Sequence, residues 1–442
     1  MSSILLRLKL FLAVSLVLLA GCSQPKAPQA NAVNPVVLIS LDGFRYDYIE
    51  KYDAKNLKAL ARGGVRATSM QPSYPTKTFP NHLTLVTGMY PSRHGLVHND
   101  FYDVELDDVY DMGKVREQPL WLWGTPLWTL AEQNSVRSAT FFWPESDAKI
   151  GGILPSYYRA YDKSTPFQER IDGIMAWLKL PPEQRPSFIT GYFSLVDDMG
   201  HDFGPDSPQV REAVTELDAY IGQLKQRIGE ELSFGVNLVI VSDHGMIAVD
   251  KQSKIDWQAL DDFSAYKVVN GSTQLMLYAD KDISQEVIAE DIKRLNGKSK
   301  GRYLAYGKES IPERLNYGGS HRIADILLDA VPPATFSDRD RLDKEIGGTH
   351  GFNPYLVKEM AAIFIANGPD FKQGLEIPSF ENIHVFPLLA RILALPIPEN
   401  IDGDLSVLAP ILVNAEKAIS TEKAVNAEKA VAPDKLLSRS EQ

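Results

Sequence analysis

Three acidic residues stand just beyond apolar runs that read as strands, and two of them bring a histidine. Val36-Val37-Leu38-Ile39-Ser40-Leu41 leads into Asp42-Gly43. The stretch around Phe193-Ser194-Leu195-Val196 leads into Asp197-Asp198-Met199-Gly200-His201, and Leu238-Val239-Ile240-Val241-Ser242 leads into Asp243-His244-Gly245. Taken singly, an acid after a strand is most often a turn residue or a helix cap. Together, carboxylate oxygens and imidazole nitrogens describe a metal centre, and Gly347-Gly348-Thr349-His350-Gly351 offers a third histidine in a glycine frame. Asp197 and His201 are expected to reach one cation across a tight turn. Asp243 and His244, being adjacent, are expected to point apart and serve two metals or two edges of one site. The mixed donor set favours Zn2+ over Mg2+ or Ca2+, with Mn2+ and Fe2+ as alternatives. His82, His94, His98, His321 and His384 read as structural or surface groups.

A second constellation is Tyr74-Pro75-Thr76-Lys77-Thr78-Phe79-Pro80-Asn81-His82. Pro80 favours an extended Phe79, and a hydroxyl just before a helix is ordinarily an N-cap. Beside two cations the Thr78 hydroxyl becomes a nucleophile instead, because coordination lowers its pKa. Lys77 either stabilises charge locally or lies on the surface.

Positioning these groups requires an α/β scaffold. The near-continuous apolar strands alternate with helical patterns at 54–62, 82–88, 124–134, 208–228 and 384–394, which implies a mostly parallel central sheet covered by helices on both faces. In such sheets ligands bind in the crevice beyond the carboxyl ends of the strands, where all three acids fall. Residues 251–345 lack this rhythm and are more polar, so they read partly as an insertion or cap.

The ends differ from the middle. Residues 1–21 have Arg7 and Lys9, then the apolar run LFLAVSLVLLA, then Gly21. That is a secretory signal, too short to span a bilayer. Leu19-Ala20-Gly21-Cys22 resembles a bacterial lipobox, and Cys22 is the chain's one cysteine. Lipidation there would hold the protein at a membrane surface, and Ser23 hints at a periplasm-facing outer membrane; the plainer alternative is a cleaved signal with an incidental cysteine. Residues 22–35 then form the lipidated cysteine and a flexible tether, 36–410 the catalytic domain, and 411–442 an Ala/Glu/Lys tail of low complexity. With a formal net charge of −11 there is no footprint of a nucleic-acid scaffold, although bound cations still permit an anionic substrate.

The motifs resemble the nucleotide pyrophosphatase/phosphodiesterase family of the alkaline phosphatase superfamily. The match runs in order over about 36–400, through Leu41-Asp42-Gly43, Lys77-Thr78-Phe79-Pro80-Asn81, Thr87-Gly88-Met89-Tyr90-Pro91, Phe141-Phe142-Trp143-Pro144 and the acid–histidine motifs above. The resemblance implies an alkaline-phosphatase-like core and two zinc ions. One would be held by Asp197, His201 and His350, the other by Asp42, Asp243 and His244 with Thr78. It implies Thr78 as the nucleophile of a phosphothreonine intermediate and Asn99 as donor to a nonbridging phosphate oxygen. Phe79 and Tyr192 match the aromatic pair that sandwiches a nucleobase. The implied activity is cleavage of nucleotide phosphodiester or pyrophosphate bonds, releasing a nucleoside monophosphate.

Cleavage of choline-type lipid headgroups is an alternative within the family. A phosphomonoesterase of the superfamily is another, though the serine, arginine and third metal typical of alkaline phosphatases are not recognisable around Thr78. Ser73-Tyr74-Pro75-Thr76-Lys77 approaches a sulfatase motif but has Lys77 in place of the arginine. A non-catalytic surface lipoprotein would be expected to have lost a ligand or the nucleophile.

Overall fold

The computed structural model describes residues 33–415. The signal, the lipobox with Cys22 and the repeats from residue 416 onward lie outside the described residues. Eight strands form the central sheet: β1 Val36–Leu41, β2 Val65–Ala67, β3 Ser138–Phe141, β4 Tyr157–Arg159, β5 Phe188–Phe193, β6 Asn237–Val241, β7 Phe364–Asn367 and β8 Leu375–Ile377. Their spatial order is β8-β2-β7-β6-β1-β5-β3-β4. β1 runs parallel to both neighbours, with Leu41 opposite Phe193 and Ser40 opposite Val241. β7 alone in this sheet runs antiparallel to its neighbours.

β1 is apolar at every position but Ser40 because both faces of the sheet are covered. Val36 and Leu38 face a core shared with Leu83, Trp128 and Leu388. Val37, Ile39 and Leu41 face the other core, with Leu57, Ile174 and Leu217. Each such side chain, fully withdrawn from water, stabilises the fold by about 1.5–3 kcal/mol. The long helix Pro208–Glu231 covers the second face with a stripe of Val210, Val214, Leu217, Ile221, Leu224 and Ile228 at helical spacing. Proline opens this helix, and the Ser207 side chain accepts from Val210 N at 3.2 Å as its N-cap.

The polar stretch after β6 folds as a four-stranded antiparallel sheet, ordered Tyr266–Asn270, Gln274–Ala279, Ile326–Ala330, Tyr303–Gly307. One face packs against Ile288 and Leu295 of the helix Gln285–Lys298. The other gives Met276, Tyr278 and Leu327 to the main core.

Three sequence expectations are corrected. The strand expected around Phe193–Val196 ends at Phe193, and Leu195 begins the helix α2, Leu195–Phe203. The helix expected at 82–88 is α1, Thr78–Thr87, four residues earlier at its start. Pro80 does not prevent this, because the first-turn amides have no intrahelical acceptor. Ile411 and Leu412, assigned to the tail, are buried in the main core.

Candidate active site

β5, β1 and β6 lie side by side and parallel, so the chain leaves all three at the same edge. Asp42 is the first residue past β1, and Asp243 the second past β6. Asp197 sits in the first turn of α2, so it and His201 share a helix face at i, i+4 rather than a tight turn. His201 Nε2 lies 3.4 Å from Asp197 Oδ2, and His350 Nε2 lies 3.8 Å from Asp197 Oδ1. His244 Nε2 lies 3.1 Å from Asp243 Oδ2, 3.5 Å from Asp42 Oδ1 and 3.3 Å from Thr78 Oγ1. The adjacent pair therefore converges instead of pointing apart: the backbone has left the extended conformation, and His244 N donates to Asp243 Oδ1 at 3.0 Å. Two groups of donor atoms lie within 4.8 Å of one another: Asp197, His201 and His350, and Asp42, Asp197 and His244. Asp197 thus faces both groups, while Asp243 reaches the second through His244.

The donor set fits divalent cations on three counts. Asp42 Oδ1, Asp197 Oδ1 and Asp243 Oδ2 are buried without a hydrogen-bond partner, a costly arrangement unless a cation takes them. Every imidazole is tied through Nδ1 to a backbone carbonyl: His201 to Gly348 O at 2.9 Å, His244 to Gly245 O at 2.9 Å and His350 to Thr76 O at 2.8 Å. This puts the proton on Nδ1 and leaves each Nε2 lone pair facing the carboxylates. Finally, burial and then the neighbouring Asp243 and Asp197 push the Asp42 carboxyl well above its ordinary range, and burial with Asp197 does the same to Asp243. Positive charge at this spot reverses that penalty.

Thr78 is the first residue of α1, and the extended Lys77 occupies the N-cap position. The Thr78 hydroxyl makes no capping bond and points to His244 instead, at the electropositive end of the helix. Phe79 N donates to Asn99 Oδ1 at 3.0 Å, which leaves the Asn99 amide nitrogen to donate to a ligand. Lys77 is not a surface group: it is buried, its Nζ donates to His350 O at 3.2 Å, and burial lowers it to about 8.

His94, His98, His321 and His384 engage structural partners: Pro80 O, Gln274 Oε1, Asp103 and Asp404 N respectively. His82 is structural too, but at the site itself. Its Nδ1 lies 2.8 Å from Thr78 O and 3.3 Å from Asp243 Oδ2, and its Nε2 lies 2.8 Å from Ser40 Oγ. Burial holds it neutral, at about 3. Thr76 was also missed: Gly351 N donates to its Oγ1 at 2.9 Å, and that hydroxyl donates to Phe352 O at 3.0 Å, clamping the His350 loop.

Two cavities meet at this cluster, and Asn99, His201 and His350 line both. The first, about 520 Å³, contains Asp42 and Thr78 and is walled by Phe79, Phe142, Trp143 and Tyr161. Tyr192 also lines it, but its position corrects the sequence reading of a base-stacking ring. The Tyr192 hydroxyl donates to Asp42 Oδ2 at 2.5 Å, and the ring meets His82 edge-on at 5.3 Å between centroids. Tyr161, 6.1 Å from it between ring centroids and 52% exposed, is the more open tyrosine in the cavity that Phe79 also lines. Tyr161 lies in a polar stretch with no periodicity to flag it.

A family model described as type I phosphodiesterase / nucleotide pyrophosphatase matches residues 36–353. Among curated proteins, the chain is 36% identical over 395 residues to a venom phosphodiesterase of Naja atra, covering 86% of this chain and 47% of that protein. It is 36% identical over 388 residues to ectonucleotide pyrophosphatase/phosphodiesterase family member 1 of Mus musculus, covering 85% of this chain and 42% of that protein. The chain therefore spans less than half the length of these relatives. Among solved structures, murine ectonucleotide pyrophosphatase / phosphodiesterase 5 superposes with a TM-score of 0.79 at 29% identity, covering 86% of this chain and 100% of that one. An inactive threonine-to-alanine form of that murine protein, solved in complex with AMP, matches equally, with a TM-score of 0.79.

Proposed function

The chain belongs to the type I phosphodiesterase / nucleotide pyrophosphatase family, and from that premise we propose that it is a two-zinc hydrolase of nucleotide phosphodiester or pyrophosphate bonds, with Thr78 as nucleophile. The observation that carries the reading is the Thr78 hydroxyl, released from capping at a helix N-terminus and 3.3 Å from His244 Nε2. Asp197, His201 and His350 would hold one cation, and Asp42, Asp243 and His244 the other, with Asp197 near enough to touch both. Bound there, the cations supply the positive charge that lowers the pKa of the hydroxyl and offsets charge on the phosphate.

The chain's own residues do the rest. Thr78 Oγ attacks phosphorus, and α1 presents its positive end to the developing charge. The Asn99 amide donates to a nonbridging oxygen, and Lys77 anchors the His350 loop. Phe79 and Tyr161 grip the base, a role supported by their shared cavity and by the AMP seen in the murine structure. Leu19-Ala20-Gly21-Cys22 supports an N-terminal lipid anchor at a bacterial envelope.

The test is hydrolysis by the zinc-loaded protein of nitrophenyl thymidine monophosphate, bis-nitrophenyl phosphate, nitrophenyl phosphate and nitrophenyl phosphorylcholine, with and without chelator. Chelator-sensitive cleavage led by the nucleotide ester is expected, with Thr78→Ala losing turnover while still binding zinc. A lead for the monoester overturns the diesterase reading, and a lead for phosphorylcholine moves the substrate to lipid headgroups.

A further inference from the structure

The second cavity, about 450 Å³, opens from the same three residues, Asn99, His201 and His350, but excludes Thr78 and Asp42. In an in-line displacement the leaving group departs opposite the nucleophile. A cavity that shares His201 and His350 with the first but is not lined by Thr78 offers the leaving group room away from the nucleophile. Its lining includes Arg341 and Lys344 of the turn 339–344. Lys254 Nζ donates to both Arg341 O and Lys344 O at 2.6 Å, fixing the turn that brings Arg341 and Lys344 to the cavity. Neither of those two side chains is engaged in an ion pair among the described residues. Of the four acids that line the cavity, Glu345 pairs with Lys251 at 2.7 Å and Asp338 accepts from Trp257 Nε1 at 2.7 Å, which leaves the exposed Asp202 and the half-buried Asp100, whose charge faces that of Lys77.

We infer that this groove is an anion-selective leaving-group site, in which Arg341 and Lys344 bind a phosphate-bearing leaving group such as pyrophosphate. The inference rests on the phosphodiesterase reading above. Thr78 Oγ bonds to the α-phosphorus and its proton passes to solvent. The bond from that phosphorus to the bridging oxygen breaks, and its electron pair leaves on pyrophosphate. Water then adds to the phosphothreonine, giving the nucleoside monophosphate and returning a proton to Thr78. Free guanidinium and ammonium groups meet the departing charge as charge-assisted donors.

The experiment compares thymidine triphosphate with nitrophenyl thymidine monophosphate, which differ only in the leaving group, on the zinc-loaded protein and its Arg341→Ala/Lys344→Ala variant. The ratio of kcat/KM for triphosphate over nitrophenyl ester is expected to fall about 100-fold, roughly ten-fold for each charge-assisted contact. Calorimetric binding of inorganic pyrophosphate should weaken by about ten-fold or more, a readout independent of turnover. A ratio and a pyrophosphate Kd both within about two-fold of wild type (an effect below ~0.5 kcal/mol) overturn the inference. So does a wild-type protein that cleaves the nitrophenyl ester and not the triphosphate, with the diesterase reading intact. Cleavage of neither substrate overturns both.

Discussion

Tyr192→Phe separates two roles for one ring. The substitution keeps the aromatic face and deletes the hydroxyl that donates to Asp42 Oδ2 at 2.5 Å. If Tyr192 served to stack a base, little would change. If it orients a metal ligand, the buried Asp42 loses a hydrogen bond to its charged form, and its other oxygen already lacks a protein partner. A hydrogen bond to a charged group is worth about 1.5–3 kcal/mol, and removing the outer partner of a metal ligand typically costs about 10–100-fold. The expected result is therefore a drop of that size in zinc affinity, read by chelator competition. kcat/KM at limiting zinc should fall by the same factor for nitrophenyl thymidine monophosphate and for base-free bis-nitrophenyl phosphate. Unchanged zinc affinity, or a loss confined to the nucleotide ester, refutes the assignment of Tyr192 to Asp42.

Tyr161→Ala should give the complementary pattern, because stacking on an aromatic ring contributes about 1–3 kcal/mol per base. A loss of about ten-fold or more in kcat/KM for the nucleotide ester, with bis-nitrophenyl phosphate nearly unaffected, is the expected readout; parallel losses would refute it. Asp329 accepts from Tyr74 Oη at 2.9 Å and Gln274 Nε2 at 2.8 Å, and burial raises it from 3.8 to about 6. Its folded pKa lies above its unfolded one, so its contribution is fully present below about pH 3.8 and is lost as the pH rises through about 6. Denaturant melts between pH 4 and 7 should show wild type losing roughly 2 kcal/mol relative to Asp329→Asn, which has no proton to give up. Parallel profiles would show that Asp329 ionises normally in the fold.

The parts of the site that follow directly from strand ends were legible. Asp42 and Asp243 come at the ends of near-continuous apolar runs, and a run buried on both faces announces where it stops. Asp197 was placed in the right region on the wrong element. Leu195 and Val196 extend the apolar composition of β5, while the helix-start signal, acids in the first turn, was read as ligand chemistry alone. Similarly Pro80, taken as holding Phe79 extended, sits in the first turn of α1, and that shift moves Thr78 from cap to free hydroxyl. Tyr161, and the placement of the structural His82 at the site itself, were illegible for another reason. Their roles come from which residues the tertiary fold sets beside them, Tyr192 for one and Asp243 for the other, at sequence separations that carry no local pattern.

The imidazoles that face the carboxylates are all steadied by main-chain carbonyls rather than side chains, and this changes where the site is vulnerable to point mutation. No single side-chain replacement can remove those acceptors, so the tautomers are insulated from most sequence drift. The weakness passes to the residues that own the carbonyls, two of which are glycines. A Cβ on Gly348 would meet Gly200 O at 2.8 Å, and one on Gly245 would meet Glu359 O at 2.1 Å, both backbone atoms. A single methyl at either position would displace a histidine it never touches, so loss of the metal centre can begin at residues with no donor atom of their own.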